Sequence, residues 1–419
     1  MAQAIDAHRT VEAIWRIESA KLIAGLARMV RDVGMAEDLA QDALVIALER
    51  WPVSGIPDKP GAWLMTTAKR RAIDLLRRSK TQVRKYEELG RTAPTYAEDD
   101  LEQVMEDGQI GDDLLRLIFA TCHPILSREA RVALTLRLLG GLATDEIAKA
   151  FLVAESTIAQ RIVRAKRTLS AAQVPLEVPE GEALRERLSA VLEVIYLMFN
   201  EGYSATSGGQ WIRPLLCQEA LRLGRMLAEI APGESEAHGL VALMEIQSSR
   251  FKTRVDAAGD PVLLLDQNRA RWDHLLIRRG LAALERARKL GRPLGPYALQ
   301  AAIAACHAQA RTADETDWVR IAALYEALSR AAPSPVVELN RAVAVAMAFG
   351  PSFGLQLVDA LSAEPSLRDY YLLPSVRGDF LVKLGRSSEA RAEFERAASL
   401  TRNEREQALL LKRAAECGG

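Results

Sequence analysis

No apolar run in this 419-residue chain is long enough to cross a bilayer. Its strongest patch, residues 191–199, contains Glu193 and reads as a buried helix. The opening stretch MAQAIDAHRT lacks the apolar core of a signal peptide. Net charge is missing as well, since 55 basic residues balance 55 acidic ones. Total charge therefore says nothing about partners, and only its distribution can. Cysteine is scarce: Cys122, Cys217, Cys306 and Cys417 are scattered, with no C-x-x-C pair and no metal-ligand rhythm. That usage points to a reducing, cytoplasmic setting and away from a disulfide framework or a zinc site. No membrane, metal or cofactor is expected.

What the chain does have is helix-forming composition. Hydrophobic residues make up 49% and charged ones 26%, an ordinary soluble balance rich in Ala, Leu, Arg and Glu. The length exceeds one ordinary core and implies several domains. The fold class expected is all-α.

Residues 8–85 read as several helices. In AEDLAQDALVIALERW, Leu39, Ala43, Ile46, Ala47 and Trp51 form an amphipathic stripe. Glu37 and Asp38 stand near its start, a sign that suits the positive end of a helix. Pro52 to Gly61 should break the helix. The next one, from Trp63, becomes strongly basic: Lys69, Arg70, Arg71, Arg77, Arg78, Lys80, Arg84 and Lys85 stand against Asp74 alone. Phosphate contacts from such a helix give affinity, and Trp63 and Met65 beside it can stack on exposed bases. A solvated basic face is the plainer reading of this helix taken alone.

Residues 86–113 form an acidic linker, with Glu87, Glu88, Glu98, Asp99, Asp100, Glu102, Glu106, Asp107, Asp112 and Asp113. Residues 114–172 return to helical periodicity and hold a helix-turn-helix. Thr144 occupies an N-cap position before DEIAKAF, whose Ile147, Ala148 and Phe151 face a small core. A turn at residues 152–154 leads to a second helix opening at Glu155, Ser156 and Thr157. Ile158, Ile162 and Val163 are expected inward, with Gln160, Arg161, Arg164, Lys166 and Arg167 outward. Such a pair sets one helix into the major groove, where Gln reads adenine, Arg reads guanine and the basic half holds phosphates.

Pro175 and Pro179 mark a boundary, and residues 183–419 read as helix pairs split by Gly/Pro breaks. In GRSSEARAEFERAASL, the positions Gly385, Ala390, Phe394 and Ala397 match the packing positions of a tetratricopeptide-like hairpin, and Ala220 with Pro232 is a weaker echo. Catalysis is not expected there. Asn200, Glu201 and Tyr203 form no evident site, and neighbours on a helix such as Cys306 and His307, or Cys122 and His123, diverge. His238, His274 and His307 have no metal-ligand spacing. Trp211, Trp272 and Trp318 are expected as packing anchors.

Taken together, AEDLAQDALVIALERW, GAWLMTTAKRRAIDLLRR and the helix-turn-helix resemble regions 2 and 4 of the sigma-70 family, in its extracytoplasmic-function branch. The resemblance covers roughly residues 10–172. It implies that the helix around Asp38, Gln41 and Asp42 docks on the polymerase clamp helices. It also implies that the Trp63 to Lys80 helix opens the minus-10 element and that the Glu155 to Arg167 helix reads the minus-35 element. Arg70 stands where the branch usually has Asn, so base preference there does not carry over. LEVIYLMFNEGYSATSG, GPYALQAAIAACHA and SPVVELNRAVAVAMA are similar to the extension of one subgroup, a tetratricopeptide-like domain. The partners implied are core RNA polymerase and promoter DNA, with a protein or peptide for the extension. The alternative is a stand-alone helix-turn-helix regulator with a sensing repeat domain; an enzyme fused to a DNA-binding module is a third.

Overall fold

The computed structural model describes residues 2–87, 110–151, 153–179, 181–204, 207–208, 212–257, 259–290 and 293–418. Most of the acidic segment, residues 88–109, lies outside them, as does Trp211. The chain divides into two compact units, residues 1–194 and 195–419.

The first unit opens with α1 (Ala2–Val30), α2 (Val33–Ser54) and α3 (Pro60–Glu87), which pack on one another. Asp32 caps α2 by accepting the Met35 N–H. The expected break at Pro52 comes late: the helix carries the proline in its last turn and ends at Gly55, whose φ of 82° favours glycine. Leu39, Ala43, Ala47 and Trp51 are buried as the stripe requires, and Ile46 is half-buried. The helix begins four residues before Glu37, so that side chain lies past the first turn and does not serve the helix end as expected.

Next come α4 (Ile110–Thr121), α5 (Arg128–Leu138), α6 (Thr144–Phe151) and α7 (Glu155–Ala171). Asp112 and Asp113 thus belong to a helix, and Asp113 is buried between Arg28 and Arg116. Thr144 is the first helical residue of α6, not its cap. Glu146 does the capping instead, its carboxylate accepting the Ala143 N–H at 2.8 Å. That is the reach-back half of a capping box. α8 (Gly181–Tyr203) starts in this unit and runs into the second. Its apolar core is buried from Val191 to Phe199, while Glu193 keeps to the surface with Arg128.

The second unit continues with α9 (Pro214–Ile230), α10 (Ser235–Ser248), α11 (His274–Lys289) and α12 (Pro296–Gln309). It ends with α13 (Trp318–Ala331), α14 (Pro335–Phe349), α15 (Pro351–Leu361), α16 (Leu372–Lys383), α17 (Ser387–Leu400) and α18 (Glu404–Glu416). Consecutive helices pair, and the all-α stack is a run of helical hairpins. Proline at the first position starts α9, α12, α14 and α15, where its missing N–H costs nothing. Extended pairing among the described residues is slight: Ser207–Gly208 beside Arg402–Asn403, and an isolated antiparallel bridge between Val255 and Pro261.

In the clearest hairpin, Gly385 has φ +73° between α16 and α17, and Ala390, Phe394 and Ala397 are buried. Gly378 admits the Phe394 ring, since a Cβ there would lie 2.8 Å from it. An irregular excursion, residues 251–272, is tied down by buried Arg269. Its guanidinium donates to the His307 and Ala310 carbonyls and to the Thr316 hydroxyl. Trp272 is buried, flanked by Arg250 and Arg269, and Trp318 is half-buried against the apolar core.

Candidate nucleic-acid interface

α3 separates its faces cleanly. Leu64, Ala68, Ala72 and Leu76 recur every fourth residue and are buried. Trp63 is half-buried, its ring edge-on to Trp51 at 5.3 Å between centroids. The opposite face exposes Arg70, Arg71 and Arg77, with Lys69 half-buried. The side chains of Arg78, Lys80, Arg84 and Lys85 lie outside those described. Arg71 is paired with Asp42 of α2, both side chains about half exposed. A residue foreseen for DNA and one foreseen for polymerase thus neutralise each other.

The second basic face is on α7. Ile158, Ile162, Ala165 and Leu169 bury one stripe against α5 and α6. Ser156, Gln160, Arg164 and Arg167 are exposed on the outside, and Thr157 and Arg161 sit at its edges. Val163 corrects the expectation: it is 44% exposed, because it falls one residue beyond the i, i+4 stripe. Lys166 also departs from the outward set. Its side chain is only 19% exposed and its ammonium is drawn to Glu37 of α2.

Glu37 is the feature the sequence did not announce. It is 2% exposed, and Arg137 of α5 donates Nε to its Oε1 at 2.7 Å, beside the Gln41 amide at 2.6 Å. Lys166 faces its other oxygen and lies 3.9 Å from Asp38. One acid therefore joins α2 to α5 and α7. A buried carboxylate with two cations and an amide is a satisfied group, where an unpaired one would be costly. Asp38 is otherwise open, its side chain 77% exposed, while Gln41 is turned to Glu37. A local signal existed: Glu37 shares a helix face with Val33 and Ala40, both buried.

Residues 17–82 match the model of sigma-70 region 2, and residues 116–169 match sigma-70 region 4. The chain is 32% identical to the ECF RNA polymerase sigma factor SigK of Mycobacterium ulcerans, covering 34% of this chain and 75% of that one. This chain belongs to the extracytoplasmic-function (ECF) family of RNA polymerase sigma factors. It is also 29% identical to a probable ECF sigma factor, SigI of Mycobacterium tuberculosis, over 42% of this chain and 59% of that one. An uncharacterized protein of Rhizobium meliloti is 42% identical over 92% of this chain and 90% of its own length. Residues 187–288 match a family of unknown function (DUF6596), so this sigma factor carries an additional C-terminal domain.

As an RNA polymerase sigma factor, the chain has core polymerase and promoter DNA for partners. The alternative of a stand-alone regulator falls with that membership. Sigma factors are not enzymes. Burial pushes the Cys306 thiol up, and burial together with Arg250 and Arg269 pulls His307 down to about 3. Burial raises Cys122 to about 11 despite its bonds to Thr135 and Thr121. A thiol held protonated is a poor nucleophile. Among the described residues no helix is long and apolar enough to cross a membrane.

Proposed function

We propose that this sigma factor acts through three parts in the cytoplasm, with no chemistry of its own. Residues 8–85 dock on polymerase through Asp38, Gln41 and Asp42. They hold the minus-10 element with Trp63, Lys69, Arg70, Arg71, Arg77 and Arg78. Residues 86–113 link them to residues 114–172. There Ser156, Thr157, Gln160, Arg161, Arg164, Lys166 and Arg167 bind the minus-35 element. Residues 183–419 regulate the factor by taking a protein or peptide partner.

The observation that carries this reading is the outer face of α7. Gln160, Arg164 and Arg167 stand exposed on a helix whose other side is a buried apolar stripe. A helix so backed enters a major groove with its long polar side chains foremost. Lys166 is the exception, because Glu37 holds it. To grip a phosphate it must leave that carboxylate, so promoter binding exchanges one anion for another and opens the contact between α2 and α7.

The test is run-off transcription with core polymerase, this protein being the sole specificity factor on a genomic promoter pool. Discrete transcripts sharing two promoter elements are expected. The double change Arg161→Glu, Arg164→Glu should abolish them, by reversing charge where phosphates and guanines are met. Full transcription by that variant sinks the assignment of α7.

A further inference from the structure

The extension contains a cleft of about 780 Å³ between α9 and α11, floored by α10. All but two of its lining residues fall within the segment 187–288 that matches the family of unknown function. Close approach of the helices fixes its base. A Cβ on Gly224 of α9 would meet the Met244 methyl at 2.4 Å, and one on Gly280 of α11 would meet Ile246 at 2.5 Å. On the floor, His238 donates from Nε2 to the Pro232 carbonyl at 2.9 Å.

Two features give the cleft a chemical preference. Along α11, Arg279, Arg286 and Lys289 line it from one face. Arg279 and Arg286 are exposed and enter no ion pair among the described residues. Glu245, on the floor, is only 2% exposed. Arg225 turns both Nε and a terminal nitrogen to its Oε1, at 2.8 and 2.7 Å. Its Oε2 has no hydrogen-bond partner. That oxygen has almost no accessible surface, so Glu245 acts on the cleft as a negative charge beneath its floor and not as an acceptor within reach.

We propose that this cleft binds an extended acidic segment of a partner protein, whose carboxylates meet Arg279, Arg286 and Lys289. The inference rests on the reading of the extension as a regulatory, partner-binding part. An extended peptide supplies spaced acceptors for these cations while leaving neutral side chains against the acidic floor. Nucleic acid carries a negative charge at every step and would set some of it against Glu229 and Glu245, whereas a peptide can place uncharged residues there. The span suits a peptide. From Arg279 to Lys289 the helix rises about 15 Å at 1.5 Å per residue. An extended chain covers that distance in about five residues. Ala228, Val241, Ala283 and Leu290 lie between the charges and would take apolar side chains at alternate positions.

The experiment uses the full-length protein and fluorescence anisotropy of a labelled peptide alternating aspartate with valine. Saturable binding that weakens with salt is expected, absent for the peptide with asparagine in place of aspartate. The double change Arg279→Glu, Arg286→Glu should weaken it roughly tenfold or more. Both sites are exposed, and unchanged helical circular dichroism will verify the fold. Arg278→Glu, on the same helix but outside the cleft, should leave binding intact. Equal binding of the asparagine peptide, binding that survives the double reversal, or displacement by a single-stranded oligonucleotide overturns the proposal, as does no binding at all. Run-off transcription keeps the two readings apart. A protein that directs transcripts but ignores the peptide refutes the cleft alone. One that binds the peptide but directs no transcripts refutes the promoter-reading assignment and leaves the cleft standing.

Discussion

Among the described residues, Glu37 in the first unit of this sigma factor and Glu245 in the second are each only 2% exposed, and the two are completed differently. Glu37 in the first unit accepts hydrogen bonds from Arg137 and Gln41 on one oxygen and meets the Lys166 ammonium as an ion pair at the other. Glu245 in the second receives Arg225 alone and keeps one oxygen without a donor. The first arrangement joins helices of region 2 to helices of region 4, and the second faces a cleft. Both units set opposite charges together, as Arg213 with Glu201 does in the second, but the second also seats buried cations on neutral acceptors and rings. Arg269 is held by two carbonyls and a hydroxyl, and Arg254 lies 3.6 Å over the Tyr203 ring while donating to that residue's carbonyl. A charge-paired contact can be exchanged for another ion. A cation set among carbonyls and aromatics is part of the scaffold.

Removing Glu37 should break this comparison most severely. Glu37→Ala leaves Arg137 and Lys166, both largely buried, with their counter-ion gone. Breaking a buried pair costs about 3–5 kcal/mol, and the partial exposure of both cations places this case near about 3 kcal/mol. Urea unfolding followed by hydrogen exchange in α2, α5 and α7 will read it. Protection unchanged in all three helices would mean that Glu37 does not hold them together.

Acid should act on the second unit, through His307. Burial first, then Arg250 and Arg269, hold its folded pKa at about 3 against an ordinary 6.5. Between those values the unfolded chain binds the proton and the folded one does not. Stability is therefore full above pH 6.5 and is lost as pH falls towards 3, by up to about 1.4 kcal/mol for each unit. His307→Phe keeps a ring against Trp318, whose edge-on contact is at 5.1 Å, and removes the titration. Its urea midpoint should drop less than that of the wild type between pH 7 and pH 5. Equal drops would show that another group governs acid sensitivity.

These contrasts also explain what sequence reading could and could not see. The stripes of α3 and α7 were legible because helical spacing alone sorts Leu64, Ala68 and Ala72, or Ile158 and Ile162, to one side. Val163 was misassigned because it adjoins that stripe and is apolar, although its own angle points it outward. Thr144 looked like a cap by residue type, but the cap interaction came from Glu146. Glu37 was read by its nearness to a helix start, while its partner Arg137 stands 100 residues away. No local pattern reports such a pairing. Glu245 was hidden for the same reason, its role being set by Arg225 on another helix. The all-α class and the helical hairpins of the extension were plain, since composition and break residues suffice for those.

The smallest effect on stability should come from Asp42, and it sharpens the difference between a structural charge and a working one. Its pair with Arg71 joins two side chains about half exposed, so water solvates each nearly as well without the other. Exposed pairs contribute about 0.2–1 kcal/mol, and Asp42→Ala should shift unfolding by no more than that. If Asp42 docks on core polymerase as proposed, the same change should weaken co-purification with polymerase and lower promoter-specific transcription. Asp42→Asn tests the charge itself at nearly constant shape and should follow the alanine variant. Full transcription from both variants would remove Asp42 from the docking surface. A large loss of stability would mean instead that the Asp42–Arg71 pair belongs with Glu37 among the charges that hold the first unit together.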